Sequence, residues 1–183
     1  LLMHWVREAF EKTLSMSPKA LSMRLLYDIC HNIAKLETLP VDGKDRTLCV
    51  HRKGATRALP AGHPLVPAAY RNIGQPVLIP GDMGSGSYVL TGTTKALEET
   101  FGSSCHGAGR VMSRAQAMKS SRGRSITKDM ADKGVIVMAS GRGTLAEEIP
   151  EAYKNLDWVV DVVHRAGIAK KVARLQALGC IKG

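Results

Sequence analysis

Aromatic residues are scarce in this 183-residue chain: two Trp, four Tyr and two Phe. Its core must therefore rest on Leu, Ile, Val, Ala and Met. No apolar run approaches the roughly 18 residues that span a bilayer, so no membrane partner is expected. The four cysteines, Cys30, Cys49, Cys105 and Cys180, form no CxxC pair, which argues against a zinc ribbon. No secretory signal is expected either, because His4, Arg7 and Glu8 interrupt the first apolar residues. Free thiols without such a signal predict a reducing, cytoplasmic setting. Acidic residues are also in short supply, 16 against 26 Lys and Arg, which leaves a net charge of +10. That excess attracts polyanions such as RNA, DNA or nucleotides, although a solvated basic surface has the same composition. With 44% hydrophobic and 23% charged residues, the chain is ordinary globular material.

Hydrophobic spacing predicts an amphipathic helix over residues 1–14, with Leu1, Leu2, Trp5, Val6, Ala9 and Phe10 on one face. A chain opening inside a helix reads as one that begins mid-protein. Ser17-Pro18 carries the cap and first-position signals of a second helix. Residues 25–30 fit either a strand or a helix. Asp42-Gly43 signals a turn, and residues 46–51 read as a strand that opens into a basic loop, 52–57. Proline-rich residues 59–76 predict irregular chain. Short strands are expected at 76–79 and 88–91, a helix at 94–99 and an exposed basic segment at 114–125. A helix follows at 126–133, stopped by Gly134, then a buried strand at 135–139 and a helix at 156–166. A last strand is expected at 172–181. Such alternation predicts one mixed α+β domain of small sheets and short helices over residues 1–183.

Four stretches could carry chemistry. His106 lies in Cys105-His106-Gly107-Ala108-Gly109-Arg110, where glycines expose backbone N–H groups to an anion and Arg110 adds a fork-shaped donor. Neutral imidazole is a competent nucleophile near pH 7. From spacing alone, a tight turn with a locally bonded histidine is the favoured reading. Residues 80–87 (PGDMGSGS) join two strands and suit a nucleotide-binding loop or a wide hairpin; they match neither the P-loop nor the dinucleotide fingerprint. His31-Asn32 offers a metal ligand and an amide, or a structural histidine. Arg52, Lys53 and Arg57 surround Gly54 at a strand end and could hold phosphates.

Taken together, DICHNIAK (28–35), VHRKGATRA (50–58), PVLIPGDMGSGSYVLTGT (76–93), SSCHGAGR (103–110), PEAYKN (150–155) and GCIKG (179–183) resemble the RtcB family of RNA ligases. The likeness runs in the family's order over essentially the whole chain. Family members are about two and a half times longer, so the resemblance is to their C-terminal part, and the remainder of such a protein is implied as a partner. It implies an RtcB-like fold and an RNA ligase, dependent on GTP and manganese, that joins RNA 3′-phosphate or 2′,3′-cyclic phosphate ends to 5′-hydroxyl ends in tRNA splicing and RNA repair. His106 would take the guanylate, and His31 would be a manganese ligand. The nucleotide site would comprise His31, Asn32, Pro80, Gly81, Asp82, Met83, Ser87, Gly107, Ala108, Gly109, Tyr153 and Lys182. Tyr153 would stack on guanine and Lys182 would touch its edge. Arg52, Lys53 and Arg110 would contact RNA or the triphosphate. The family's other metal ligands fall outside this chain, which predicts that these residues alone do not ligate RNA. Whether an activating protein is a further partner stays open. The competing expectations are a basic RNA-binding or assembly module of the same fold without catalysis, and a related guanylyl or phosphoryl transfer at nucleic-acid ends.

Overall fold

A computed structural model of the protein describes residues 1–182; Gly183, the end of the terminal motif, lies outside the described residues. In chain order the elements are α1 (Leu2–Leu14), β1 (Asn32–Val41), β2 (Lys44–Lys53), β3 (Ala55–Arg57), β4 (Pro76–Pro80), β5 (Ser87–Gly92), α2 (Thr94–Thr100) and β6 (Ser103–Cys105). They continue with α3 (Arg114–Ser120), α4 (Ile126–Ala131), β7 (Ile136–Ala139), α5 (Arg142–Glu147), α6 (Leu156–Arg165), β8 (Ala169–Leu175) and β9 (Gly179–Lys182). This is the mixed α+β architecture that the alternation predicts. No helix is long and apolar enough to cross a membrane among the described residues.

Several elements form for local reasons. β1 and β2 pair antiparallel from Asn32↔Lys53 to Val41↔Lys44. Asp42 and Gly43 close the hairpin with φ of 51° and 74°, the two left-handed residues a tight two-residue hairpin turn requires. Thr93 caps α2 by accepting from the Ala96 N–H at 3.1 Å. Ser113 and Gln116 form a reciprocal capping box that starts α3. α3 therefore stands where only an exposed basic segment was expected, though Arg114, Lys119, Arg122 and Arg124 do face solvent.

Other expectations need correction. The Ser17-Pro18 helix is a single turn: Ser17 accepts from Ala20 N–H at 3.2 Å, and Ser22 then turns left-handed at φ 55°. Residues 25–30 are neither strand nor helix; Tyr27 packs edge-on against Tyr70 there, ring centroids 5.5 Å apart. The expected strand 172–181 is two strands. β8 joins the antiparallel sheet β4-β5-β8, whereas β9 pairs in parallel with β7. One largely apolar stretch, broken by Arg174 and Gln176, thus serves two sheets, and the chain must turn between them. β7 is not buried throughout, because its sheet has only two strands and one covered face. Val135 and Val137 face the core, while Ile136 and Met138 face out.

Two apolar clusters underlie the fold. One joins Val77, Ile79, Leu90, Ala108, Leu156 and Val160; the other joins Met83, Ala117, Met130, Val135, Leu145 and Ile149. Ala108 belongs to the first and Met83 to the second, so each glycine loop is pinned to packed side chains by one residue of its own.

Candidate functional site

His106 follows β6 directly, and Gly54 between β2 and β3 fixes its position. The Gly54 N–H donates to the His31 carbonyl at 3.0 Å, and the Gly54 carbonyl accepts from the His106 N–H at 3.1 Å. One glycine therefore ties both histidine backbones, and their rings stack with centroids 4.3 Å apart and 10° between planes. Gly54 sits at φ 66° with nothing within 4 Å of where a Cβ would be. Gly54→Ala is thus expected to act through backbone strain alone. It should lower stability by about 1–2 kcal/mol, read as an earlier denaturant-unfolding midpoint, and weaken any activity that needs the stacked pair.

The His106 ring has a defined orientation. Nδ1 lies 3.0 Å from the Leu78 carbonyl of β4. A carbonyl only accepts, so Nδ1 carries the proton and the neutral ring leaves its lone pair on Nε2. Burial, and then the like charge of His31, push the His106 pKa below the ordinary histidine value, against the opposing pull of the Leu78 carbonyl. A neutral imidazole with Nε2 free is the nucleophilic form.

The loop between β4 and β5 is held from within. Gly81 N–H donates to Gly86 O at 2.9 Å. The Asp82 carboxylate accepts from the N–H groups of Gly84 (2.8 Å) and Ser85 (3.0 Å) and from the Ser85 hydroxyl (2.6 Å). Asp82 and Ser85 thus shape the loop through each other. Gly86 is held at φ 87°, where a Cβ would come 2.1 Å from the Leu175 carbonyl, so the loop lies directly on the end of β8. Beside it opens a cavity of about 250 Å³, with Gly81, Asp82, Met83, Ser87, Cys180 and Lys182 in its wall. Met83 is also core, packed in the second cluster. Gly107 passes Pro80, whose carbonyl would lie 3.9 Å from a Cβ at Gly107.

On the other side of residues 107–109 runs a groove of about 740 Å³, lined among others by Gly107, Ala108, Gly109, Tyr153 and Trp158. Gly107 and Gly109 have φ of 121° and 75°, and Gly109 has open space where a side chain would stand. Such a backbone can be approached closely by an anion.

Arg110 is not the free fork expected at a phosphate. Nε donates to Met112 O (3.1 Å), one terminal nitrogen to Glu148 (3.2 Å) and the Tyr153 hydroxyl (2.9 Å), and the other to Glu147 O (2.6 Å). Its guanidinium also lies over the Tyr153 ring, 4.8 Å from the centroid. Arg52 is corrected more strongly. It is buried, and it forms a two-pronged pair with Glu37, at 2.9 and 2.7 Å. Its remaining contacts are Ser103 and the Phe101 carbonyl. Arg52 therefore anchors the hairpin and presents no face to RNA. Lys53, its neighbour, is exposed beside Gly54, and Asn32 is exposed opposite Lys53 at the open end of the hairpin.

His31 presents one imidazole. Among the described residues no group of three His, Cys, Asp or Glu side chains could hold a metal ion. Spacing also missed Glu148. Adjacent glutamates at 147 and 148 carry no distinguishing spacing signal, and α5 ends at Glu147. Glu148 turns inward to the Tyr153 hydroxyl, Arg110 and Lys182. Only the nearby cations and the short αβ segment could have signalled this.

A family model described as tRNA-splicing ligase RtcB matches residues 1–183. Among similar proteins carrying that name, one from Archaeoglobus fulgidus is 60% identical over 183 residues, which is all of this chain and 38% of that protein. One from Thermococcus kodakarensis is 54% identical, again over all of this chain and 38% of its own length. One from Pyrococcus abyssi is 53% identical over 20% of its length. The chain thus spans well under half of each of these relatives.

Proposed function

The chain belongs to the tRNA-splicing ligase RtcB family, and on that premise we propose that it supplies the guanylate-accepting part of a GTP-dependent RNA ligase, with His106 as nucleophile. The observation that carries this reading is the free Nε2 of His106, whose ring is set by Leu78 O and by the stacked His31.

Nε2 attacks the α-phosphorus of GTP. A phosphorus–nitrogen bond forms and the bond to the departing pyrophosphate breaks. The guanylate then passes to an RNA 3′-phosphate, freeing His106. A 5′-hydroxyl attacks the activated 3′ end, closes a 3′,5′-phosphodiester and releases GMP. A 2′,3′-cyclic phosphate is opened by water before this sequence starts. Residues 107–109 offer backbone donors to the phosphate, where charge grows on the equatorial oxygens. Pro80, Gly81, Asp82, Met83 and Ser87 wall the nucleotide, Tyr153 offers an aromatic face and Lys182 a cation at its edge. Manganese would neutralise triphosphate charge when bound. Of the described residues we assign it His31, and we place its other ligands outside this chain. Exposed Arg114, Lys119 and Arg122 suit the RNA backbone. They also favour the second reading, an RNA-binding module without chemistry.

The test uses a chimera in which this chain replaces the matching 38% of the Archaeoglobus fulgidus relative. It is incubated with manganese and GTP labelled at the α-phosphate. A protein-bound label that acid removes and alkali does not is the expected result, followed by joining of RNA ends with 3′-phosphate and 5′-hydroxyl. A folded, manganese-loaded chimera that never labels would discard the ligase reading in favour of the binding module.

A further inference from the structure

We infer that Glu148 is a positioning residue for nucleotide recognition, locking the Tyr153 ring and the Lys182 ammonium into one rigid unit that faces both cavities of the site. The inference rests on the nucleotide reading proposed above. Tyr153 lines the groove beside Gly107–Gly109, and Lys182 lines the cavity beside Gly81–Ser87. Glu148 bonds to a residue of each. One carboxylate oxygen accepts from Arg110 at 3.2 Å. The other accepts from the Tyr153 hydroxyl and from the Lys182 ammonium, the latter at 3.4 Å.

This network removes the freedom of each partner. The Tyr153 hydroxyl donates to Glu148 and accepts from Arg110 at 2.9 Å, so both its proton and its lone pair are assigned. Arg110 covers one part of the ring at 4.8 Å, while the ring still borders the groove. Lys182 comes from β9 and would otherwise be a flexible four-carbon stem near the chain end. Burial tends to raise the Glu148 pKa, but the Tyr153 hydroxyl, Lys182 and Arg110 together bring it below the ordinary glutamate value. The carboxylate is therefore charged at neutral pH, which strengthens all three bonds. Preorganised side chains lose less entropy when a planar base arrives beside them.

The measurement is GTP binding to the chimera carrying His106→Ala, followed by calorimetry in buffer with manganese, so that no turnover intervenes. Adding Glu148→Ala is expected to weaken GTP binding about 10-fold, the size of one lost charged hydrogen bond. The preference for GTP over ATP should fall with it, while the unfolding midpoint moves little. In the labelling assay with His106 intact, KM for GTP should rise by a similar factor and kcat should stay within about threefold. Glu148→Gln keeps an acceptor without the charge, and it should recover part of the affinity. That variant decides the matter if the alanine form does not fold. Unchanged affinity and selectivity in a labelling-competent chimera would overturn the role of Glu148 and leave the nucleotide site standing. A parent chimera that neither labels nor binds GTP would overturn both.

Discussion

Replacing His106 by Ala in the chimera should remove at least about 10³-fold of guanylate labelling, because the proposed nucleophile is gone and no neighbour is placed to substitute for it. His31 is the only other imidazole in the pair, and its ring lies flat against His106 rather than in its place. The substitution leaves the His106 backbone bond to Gly54 intact, so the loop should keep its path and the unfolding midpoint should change little. The ring loses one hydrogen bond, to Leu78 O at 3.0 Å, and that carbonyl is left for water. RNA joining should fail in parallel when GTP is the activating nucleotide. Labelling that survives at wild-type level would place the covalent guanylate on another side chain. Labelling lost without loss of RNA joining would separate the two chemistries. His31→Ala is the informative companion. Loss of the stacked neighbour removes packing and the proposed manganese ligand but not the proposed nucleophile, so its effect on labelling in excess manganese should be smaller.

Much of this site was legible because glycine and histidine placements are local signals. Asp42-Gly43 announced the hairpin turn, and the glycines around His106 announced a loop with open space at Gly109. The stacking of His31 on His106 was not legible, because it depends on Gly54 bonding both backbones across elements far apart in sequence. β1 escaped notice because its inward residues are few: Glu37 and Leu39 are buried, while Leu36 just before them is exposed. A buried glutamate is a poor strand signal until its arginine is found. Arg52 was misread for the same reason. In sequence it belongs to a run of cations, and only the fold reveals that Glu37 claims it. The split of residues 172–181 was equally hidden, since apolar spacing carries no information about which strand a segment will pair with. Glu148 shows the limit on the functional side: neighbouring glutamates look alike until a helix ends between them.

Glu37→Ala should be among the most destabilising single substitutions in the chain, by about 3–5 kcal/mol, because it strands the Arg52 charge in the interior. Side-chain exposure is 2% for Arg52 and 5% for Glu37. Two bonds of 2.9 and 2.7 Å join them, and Arg52 also donates to Phe101 O at 2.8 Å and Ser103 Oγ at 2.9 Å. The pair therefore fastens the β1–β2 hairpin to the segment leading into β6. Its energetic value is a matter of completeness rather than of attraction. Removing both charges together, as in Glu37→Leu with Arg52→Met, leaves only the part-buried Arg57, which also lies 3.7 Å from Glu37, without its carboxylate, and should be far less harmful than the sum of the two single changes. Denaturant unfolding of the four proteins in the chimera measures that coupling. Additive losses would mean that the charges are solvated in the folded protein and that the hairpin is held by packing instead. The consequence reaches the chemistry because Arg52 lies two residues before Gly54. A hairpin that slips loosens the bonds from Gly54 to His31 and His106, so Glu37→Ala should also depress guanylate labelling at temperatures where the protein is still folded. The double variant should restore labelling as it restores stability.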